Sequence, residues 1–163
     1  FRSETGKDFN AFRRALNKVT TYLCRCIAKD GEGATKLLEC KVTGAKTKNA
    51  AKLVAKSVIK SSLFKAAMFG ADANWGRVLC AVGYSGADVD VSKVDVSFKS
   101  RFGRIDVCKN GSGIEFSEEE AKKVLGADEI QILIELNDKS GKATAWGCDL
   151  TYDYVKINGD YRT

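Results

Sequence analysis

Apolar and polar residues follow two different periods along this chain, and the two periods predict its helices and strands. Apolar residues that recur every three to four positions predict amphipathic helices over residues 7–28, 47–60 and 75–82. Alternation of apolar and polar residues predicts strands over residues 38–42, 94–98 and 130–134. The first of these strands is expected to have one face in water, because Glu39, Lys41 and Thr43 occupy that face.

Turn and cap residues indicate further elements in the second half of the chain. The sequence Lys109-Asn110-Gly111 predicts a hairpin between strands at residues 105–107 and 114–116. Ser117 begins a capping box and should start a helix, which Gly126 is expected to end. Both signals depend on the local backbone chemistry and not on a partner elsewhere in the chain.

The last part of the chain is predicted as a strand pair followed by a short helix. Residues 144–150 are expected to pair with residues 130–134 across a turn. Thr151 is expected to cap a helix that ends at Ile157 and leaves residues 158–163 as a tail. Because this region carries three Tyr together with Val and Ile, we expect it to dock on the rest of the protein.

The order of these elements predicts the α+β fold class, because helices and strands are mixed without a regular β-α-β alternation. A mixed sheet packed with helices is therefore expected. Residues 1–163 contain no repeat, linker or low-complexity run, so no internal domain boundary is predicted. A length of 163 residues, 44% of them apolar, is enough for one core and argues against intrinsic disorder.

Composition excludes several functional classes. No apolar run approaches the roughly 18 residues of a membrane span, and the first residues lack the apolar core of a signal peptide. The chain has no His, so an imidazole base or ligand would have to come from another chain, and no metal-ligand cluster is visible. The six Cys residues are scattered, which predicts reduced, mostly buried thiols of an intracellular protein. The chain also lacks an initiating Met and is expected to derive from something longer.

Positive charge is concentrated in the first 60 residues, which hold 14 basic and 5 acidic side chains. One hypothesis is a nucleic-acid-binding module that uses residues 1–60. The other is a solvated helix face, since Lys48, Lys52, Lys56 and Lys60 recur at four-residue steps opposite an apolar stripe. We favour the solvated face, because no aromatic residues interleave with these lysines as platforms for base stacking.

Two polar segments could carry chemistry, and each also has a structural explanation. Glu32 lies between Gly31 and Gly33, which let the backbone bend tightly and approach a ligand closely. From the local sequence alone, a polar turn is the better explanation of this segment. Residues 72–77 are explained by structural anchoring, with Asp72 or Asn74 as the cap of the following helix.

Three segments together resemble the ornithine acetyltransferase family. They are DGEGATK at residues 30–36, FGADANWGR at residues 69–77 and CDLTYDYVKINGDYRT at residues 148–163. The likeness runs from about Phe9 to Thr163 in matching order, so it covers nearly the whole chain. Three long motifs in register are much more specific than any one of them.

The resemblance implies a glutamate N-acetyltransferase of arginine biosynthesis, which transfers acetyl from N2-acetyl-L-ornithine to L-glutamate. In this family a precursor cuts itself before a Thr into an α and a β chain. That Thr carries the acetyl group between the two substrates in ping-pong order. Some members also use acetyl-CoA as a co-substrate; the sequence does not select between the two types, and no other cofactor or metal is implied.

By the same resemblance, Glu32, Asn158 and Thr163 correspond to substrate-binding residues of the family. The nucleophilic Thr is absent here, so the chain resembles a C-terminal part of the β chain and is expected to be inactive alone. The implied partners are the α chain and the remaining β-chain segment, in a heterotetramer of two α and two β chains. The resemblance implies a cytoplasmic enzyme with amino-acid substrates and no nucleic-acid or membrane partner.

Overall fold

A computed structural model describes residues 4–161, and six strands in this range form one mixed sheet. The strands are β1 (Leu37–Ala45), β2 (Asp95–Ser100), β3 (Gly103–Lys109), β4 (Ser112–Gly113), β5 (Glu129–Glu135) and β6 (Gly141–Cys148). Their order across the sheet is β4-β3-β2-β5-β1-β6. The helices are α1 (Lys7–Lys29), α2 (Lys48–Lys60), α3 (Ser62–Phe69), α4 (Trp75–Gly83), α5 (Glu118–Leu125) and α6 (Tyr152–Asp160). The α+β class predicted from the sequence is confirmed.

The core lies on one face of the sheet, under α2. Val54, Ala55 and Val58 of α2 are fully buried, as are Leu38 and Cys40 of β1. The alternation of apolar residues in β1, β2 and β5 places their large side chains on this same face. Burial raises the pKa of the Cys40 thiol, because the thiolate form would lose its water.

The predicted pairing of β5 with β6 is wrong, because β1 lies between them. β1 pairs in parallel with β5 and antiparallel with β6. Four consecutive residues of β1, Leu37 to Cys40, are buried, so both faces and both edges of this strand are covered. A short connection between two strands predicts a hairpin. It gives no sign that a third strand, from an earlier part of the chain, inserts between the two.

Cap residues place the helix starts where the sequence predicted them. The side chains of Thr47, Asn74, Ser117 and Thr151 each accept a hydrogen bond from a backbone N–H in the first turn of α2, α4, α5 and α6. Of the two candidates for the cap of α4, the structure selects Asn74. The helix starts therefore follow from local chemistry.

Three other predictions need correction. Helix α3 was not predicted, because its eight residues are too short and too uniformly apolar to show a period. The second arm of the hairpin is only Ser112–Gly113 and not residues 114–116, and the indole ring of Trp75 packs against Gly113. Helix α6 runs three residues beyond Ile157, to Asp160.

Helix α1 follows the predicted period, but it buries none of its residues. Leu16, Val19 and Leu23 of its apolar stripe are about half exposed. The opposite side of α1 contacts the sheet through ion pairs, in which Arg25 binds Glu129 at 2.9 Å and also Glu39. Cys24 and Cys26 lie on this exposed helix.

The cysteines are all free, but the expectation that they are mostly buried is wrong. Cys40 and Cys108 are buried, whereas Cys24, Cys26 and Cys80 are exposed. Two of the three exposed thiols, Cys24 and Cys26, lie on α1, which buries none of its residues. Within residues 4–161 no helix combines the length and the apolarity needed to cross a bilayer.

Glu39 lies on the face of β1 that was expected to be wet, but it is only 7% exposed. Its carboxylate accepts hydrogen bonds from Arg25 at 2.5 Å, Trp146 at 2.7 Å and Gln131 at 2.9 Å, and it pairs with Lys41 at 2.8 Å. Burial alone would raise the pKa of Glu39. Hydrogen bonds from Lys41 and Trp146, with the charges of Lys41 and Arg25, outweigh burial and leave the pKa below its ordinary value.

The lowered pKa of Glu39 makes a prediction for Glu39→Gln. The ionised carboxylate stabilises the folded state above its ordinary pKa, and this contribution is lost as the pH falls through the lowered value. At neutral pH we expect Glu39→Gln to reduce the free energy of unfolding by about 1.5–3 kcal/mol. The difference from the parent protein should shrink as the pH falls, which urea denaturation followed by circular dichroism will measure.

Glu115→Gln is the matched control, because Glu115 is an exposed carboxylate outside this network. Its free energy of unfolding should differ little from that of the parent protein. A difference for Glu39→Gln that stays constant between neutral and acidic pH would contradict the role assigned to this buried carboxylate.

Candidate functional site

The loop that precedes β1 is fixed to the end of β6 by a buried carboxylate. Asp149 is 3% exposed and accepts hydrogen bonds from the backbone N–H groups of Thr35 and Lys36 at 2.9 and 3.0 Å. The Thr35 hydroxyl donates a third hydrogen bond to it at 2.5 Å. Segments 114 positions apart in the chain are therefore held together at one end of the sheet.

Lys36 joins the motif segment at residues 69–77 to this place, because its ammonium donates a hydrogen bond to the Phe69 carbonyl at 3.4 Å. Its ammonium donates hydrogen bonds to the carbonyl oxygens of Met68 at 2.6 Å and Leu125 at 2.9 Å, near the C-terminal ends of α3 and α5. A cation is favourable there, because the helix dipoles leave partial negative charge at those ends. Burial lowers the pKa of Lys36, although the charge of Asp149 acts in the opposite direction.

Helix α6 packs directly on the glycine-flanked loop. The Thr151 hydroxyl donates a hydrogen bond to the Gly33 carbonyl at 2.6 Å and accepts one from the N–H of Tyr154 at 3.2 Å. Gly33 has a φ of 65°, and a Cβ at this position would lie 2.7 Å from the Tyr154 nitrogen. Only glycine tolerates both the positive φ and the lack of space for a Cβ. The backbone of this loop, which was expected to approach a ligand closely, therefore approaches α6 closely.

This packing brings Glu32 and Asn158 together. The Asn158 side-chain amide donates hydrogen bonds to Glu32 Oε2 at 2.6 Å and to the Tyr154 carbonyl at 2.9 Å. Asn158 therefore lies on α6, one turn after Tyr154, and not in a tail as the sequence indicated. Thr163, the third predicted substrate-binding residue, lies outside the described residues.

Glu32 and Asn158 form an exposed polar pair beside apolar side chains of α6. The second oxygen of Glu32 and the amide carbonyl of Asn158 are both able to accept further hydrogen bonds. Val155 and Ile157 of the same helix are exposed as well. The pair could hold a group with several N–H donors, such as an ammonium, while the apolar side chains offer a surface for a covering segment.

Residues 72–77 serve to anchor α4. The Asn74 side-chain oxygen accepts a hydrogen bond from the N–H of Arg77 at 3.1 Å, and its amide donates to Asp72 at 3.0 Å. The Arg77 guanidinium donates to the carbonyl of Leu63 at 2.8 Å. These contacts agree with structural anchoring, the explanation that the sequence favoured.

Two residues that position this site were not identified as such from the sequence. Thr151 was predicted as a helix cap, but its hydrogen bond to the Gly33 carbonyl was not predicted. Asp149 was not singled out at all, because an Asp after a strand has many local explanations. Only a contact between the two ends of the chain could have indicated either role.

The fold and site define an α+β protein in which a loop after the first helix and the last helix form one polar site beside a mixed sheet. A family model described as the ArgJ family matches residues 2–163, and the chain belongs to this family. The matched range includes all three segments on which the sequence resemblance rests.

Individual relatives agree with this membership. The chain is 55% identical over 161 residues to the arginine biosynthesis bifunctional protein ArgJ 1 of Clostridium acetobutylicum. This alignment covers 99% of this chain and 40% of that protein. It is 57% identical to the ArgJ protein of Caldanaerobacter subterraneus, over 96% of this chain and 39% of that protein. The chain thus spans about 40% of the length of these curated relatives.

A solved structure shows the same fold. The crystal structure of the arginine biosynthesis bifunctional protein ArgJ from Bacillus halodurans superposes with a TM-score of 0.90 at 46% sequence identity. The match covers 96% of this chain and 72% of that chain. The relative therefore contains additional polypeptide beyond the fold described above.

The double role of Thr151 predicts that Thr151→Val will loosen α6. This variant keeps the shape of the side chain but removes the cap of α6 and the donor to the Gly33 carbonyl. We expect the free energy of unfolding to fall by about 1–2 kcal/mol and amide exchange to accelerate over residues 152–160. Hydrogen exchange read by mass spectrometry measures the second effect.

Thr151→Ser is the matched control, because serine keeps the hydroxyl that makes both hydrogen bonds. It should retain most of the protection of α6. If α6 in Thr151→Val exchanged as slowly as in the parent protein, the hydroxyl would not be what holds this helix on the loop.

Proposed function

We propose that this chain is part of a glutamate N-acetyltransferase that transfers acetyl from N2-acetyl-L-ornithine to L-glutamate in arginine biosynthesis. The observation that carries this proposal is the contact between Glu32 and Asn158 in a chain of the ArgJ family. Sequence resemblance assigns both residues to substrate binding, and they lie 126 positions apart in the sequence. The names of the relatives, arginine biosynthesis bifunctional proteins, support the same pathway.

Glu32 is proposed to hold the α-ammonium group of the amino-acid substrates. The ornithine that leaves and the glutamate that enters both carry this group, so one carboxylate serves both in turn. A charge-assisted hydrogen bond of this kind contributes about 1.5–3 kcal/mol when water is excluded. Asn158 orients Glu32 through its amide N–H and offers its carbonyl oxygen to the substrate.

The acetyl group is proposed to travel on a Thr that lies in the part of the enzyme not spanned by this chain. Attack of its hydroxyl on the acetyl carbonyl of N2-acetyl-L-ornithine forms an acetyl ester and releases ornithine as the C–N bond breaks. The glutamate α-ammonium must then lose a proton to the base, and attack of the resulting amine on the ester forms N-acetylglutamate and re-forms the Thr hydroxyl. The chain contains no His, and the N-terminal amine of the nucleophilic Thr could act as base instead. Acetyl-CoA is a further candidate donor for this step.

The complete enzyme is proposed to need the α chain and the remaining β-chain segment, in a cytoplasmic heterotetramer of two α and two β chains. This chain is proposed to be inactive by itself, because it lacks the nucleophile. The nucleic-acid-binding alternative for residues 1–60 rests on charge alone, and membership of the ArgJ family gives it no support.

The first test is Glu32→Gln in the complete enzyme. Gln retains an oxygen that accepts the hydrogen bond from Asn158, so the loop should keep its conformation while the negative charge is lost. We expect a higher KM for L-glutamate, whose α-ammonium this carboxylate is proposed to hold, and a kcat/KM for glutamate lower by roughly tenfold or more, from the loss of about 1.5–3 kcal/mol. Steady-state kinetics of acetyl transfer measure both parameters.

Glu115→Gln provides the control for this kinetic test, since it removes an exposed carboxylate away from the loop and α6. Its kcat/KM should equal that of the parent enzyme. An unchanged kcat/KM for Glu32→Gln would remove Glu32 from the substrate site and leave its contact with Asn158 as a structural link only.

The second test is the deletion of residues 158–163 from the complete enzyme. Helix α6 buries none of its residues, so the remainder should stay folded and keep its thermal unfolding midpoint within a few degrees. Acetyl transfer should be abolished, because two of the three proposed substrate-binding residues, Asn158 and Thr163, are removed. Full activity of the folded, truncated enzyme would refute a functional C-terminal segment.

A further inference from the structure

The two edges of the sheet differ in how they are protected. An edge strand presents unpaired N–H and C=O groups, so proteins keep edges short, charged, bulged or covered. At one edge lies β4, which has only two residues. At the other edge lies β6, which has eight residues and is about 26 Å long.

β6 has few of the features that protect a free edge. It pairs with β1 in a regular register from Ala143 to Cys148, and the irregularity in the ladder lies before this stretch. Lys142 is the charged residue of the strand, and the chain contains no Pro. Six consecutive residues therefore offer a regularly paired outer edge that has no strand partner among residues 4–161.

A groove runs along this edge between α1 and α2. Residues 143–148 form its floor, Ile27 lies on the α1 side, and Leu53 and Ile59 lie on the α2 side. The groove has a volume of about 1310 Å³, which exceeds the roughly 300–1,000 Å³ of pockets for compact ligands. Ile27 is 76% exposed, so the α1 wall is apolar and open.

The α2 wall of this groove is basic. Four lysines of α2 at four-residue steps line it, namely Lys48, Lys52, Lys56 and Lys60. Helix α2 contains no acidic residue that could offset them. The lysines were interpreted from the sequence as a solvated face, and the structure places them beside an open strand edge. A segment that fills the groove is therefore expected to carry carboxylates towards α2.

We propose that in the complete enzyme β6 pairs with an extended, acidic segment from the part of the ArgJ polypeptide that this chain does not span. About 60% of the length of the curated relatives lies outside the matched region, and a solved relative of the same fold has 28% of its chain unmatched. Main-chain hydrogen bonds to β6 would provide affinity, and the apolar and basic walls would select the side chains.

A second copy of this chain is a poorer occupant. If two β6 edges paired with each other, two lysine-lined α2 helices would come close, and like charges would repel. The inference rests on family membership and on the geometry of the edge. It does not depend on acetyl transfer or on the role of Glu32, so the two proposals can fail separately.

Residue-resolved hydrogen exchange on the complete enzyme tests the strand pairing. In an antiparallel edge strand alternate N–H groups point away from the sheet, so without a partner every second amide of residues 143–148 should exchange quickly. With the proposed partner the outward amides should exchange roughly tenfold or more slowly than those of an exposed edge. Fast exchange at every second position would overturn the proposal.

Zero-length carbodiimide crosslinking of the same enzyme tests the identity of the occupant. Lys52 and Lys56 should become linked to Asp or Glu residues outside residues 1–163. Links confined to residues 1–163, links to a second copy of this chain, or no links at all would overturn the proposed occupant.

Charge reversal completes the test with a matched control. Lys52→Glu combined with Lys56→Glu should accelerate exchange of the outward amides of β6. Lys122→Glu combined with Lys123→Glu makes the same change of charge on exposed residues of α5, outside the groove, and should leave β6 protected. Equal exchange of β6 in both double variants would exclude a charge-selected segment.

Discussion

The buried carboxylate of Asp149 is the interaction on which the described site depends. A buried charge is tolerated only when it is paired or fully hydrogen-bonded, and Asp149 obtains three donors from Thr35 and Lys36. Those donors can be supplied only if the loop after α1 and the end of β6 lie side by side. That arrangement leaves Gly33 against the start of α6, and Asn158 then reaches Glu32 from the next turns of the helix.

Local signals predicted the helices well, because each depends on residues a few positions apart. The caps at Ser117 and Thr151 and the end at Gly126 all follow from such signals, whereas the eight residues of α3 carried none. The order of the strands could not be predicted in the same way, since β1 inserts between β5 and β6 from an earlier part of the chain. Family resemblance selected Glu32 and Asn158, whereas composition and period gave no reason to expect their contact.

Helix α1 shows why amphipathic period alone does not determine which side of a helix faces the core. Its apolar stripe would gain about 1.5–3 kcal/mol for each fully buried Leu or Val, yet Leu16 and Val19 remain about half exposed. Its ion pairs with the sheet are made by Arg25 and Lys29, and such pairs contribute less when exposed to water. A helix held by its polar side has its apolar side available for another part of the enzyme.

The exposure of Glu32 sets a physical condition on its proposed role. Two unit charges 4 Å apart attract by about 1 kcal/mol in water and by about 4 kcal/mol at the effective dielectric near a protein surface. Glu32 and Asn158 are both exposed in this chain, so an ammonium bound here would remain hydrated and weakly held. A covering segment from the rest of the enzyme would remove that water, and the exposed apolar residues Val155 and Ile157 of α6 offer it a surface. In the proposed enzyme, substrate binding of useful strength therefore requires a covering segment from outside this chain, which would couple assembly of the enzyme to its activity.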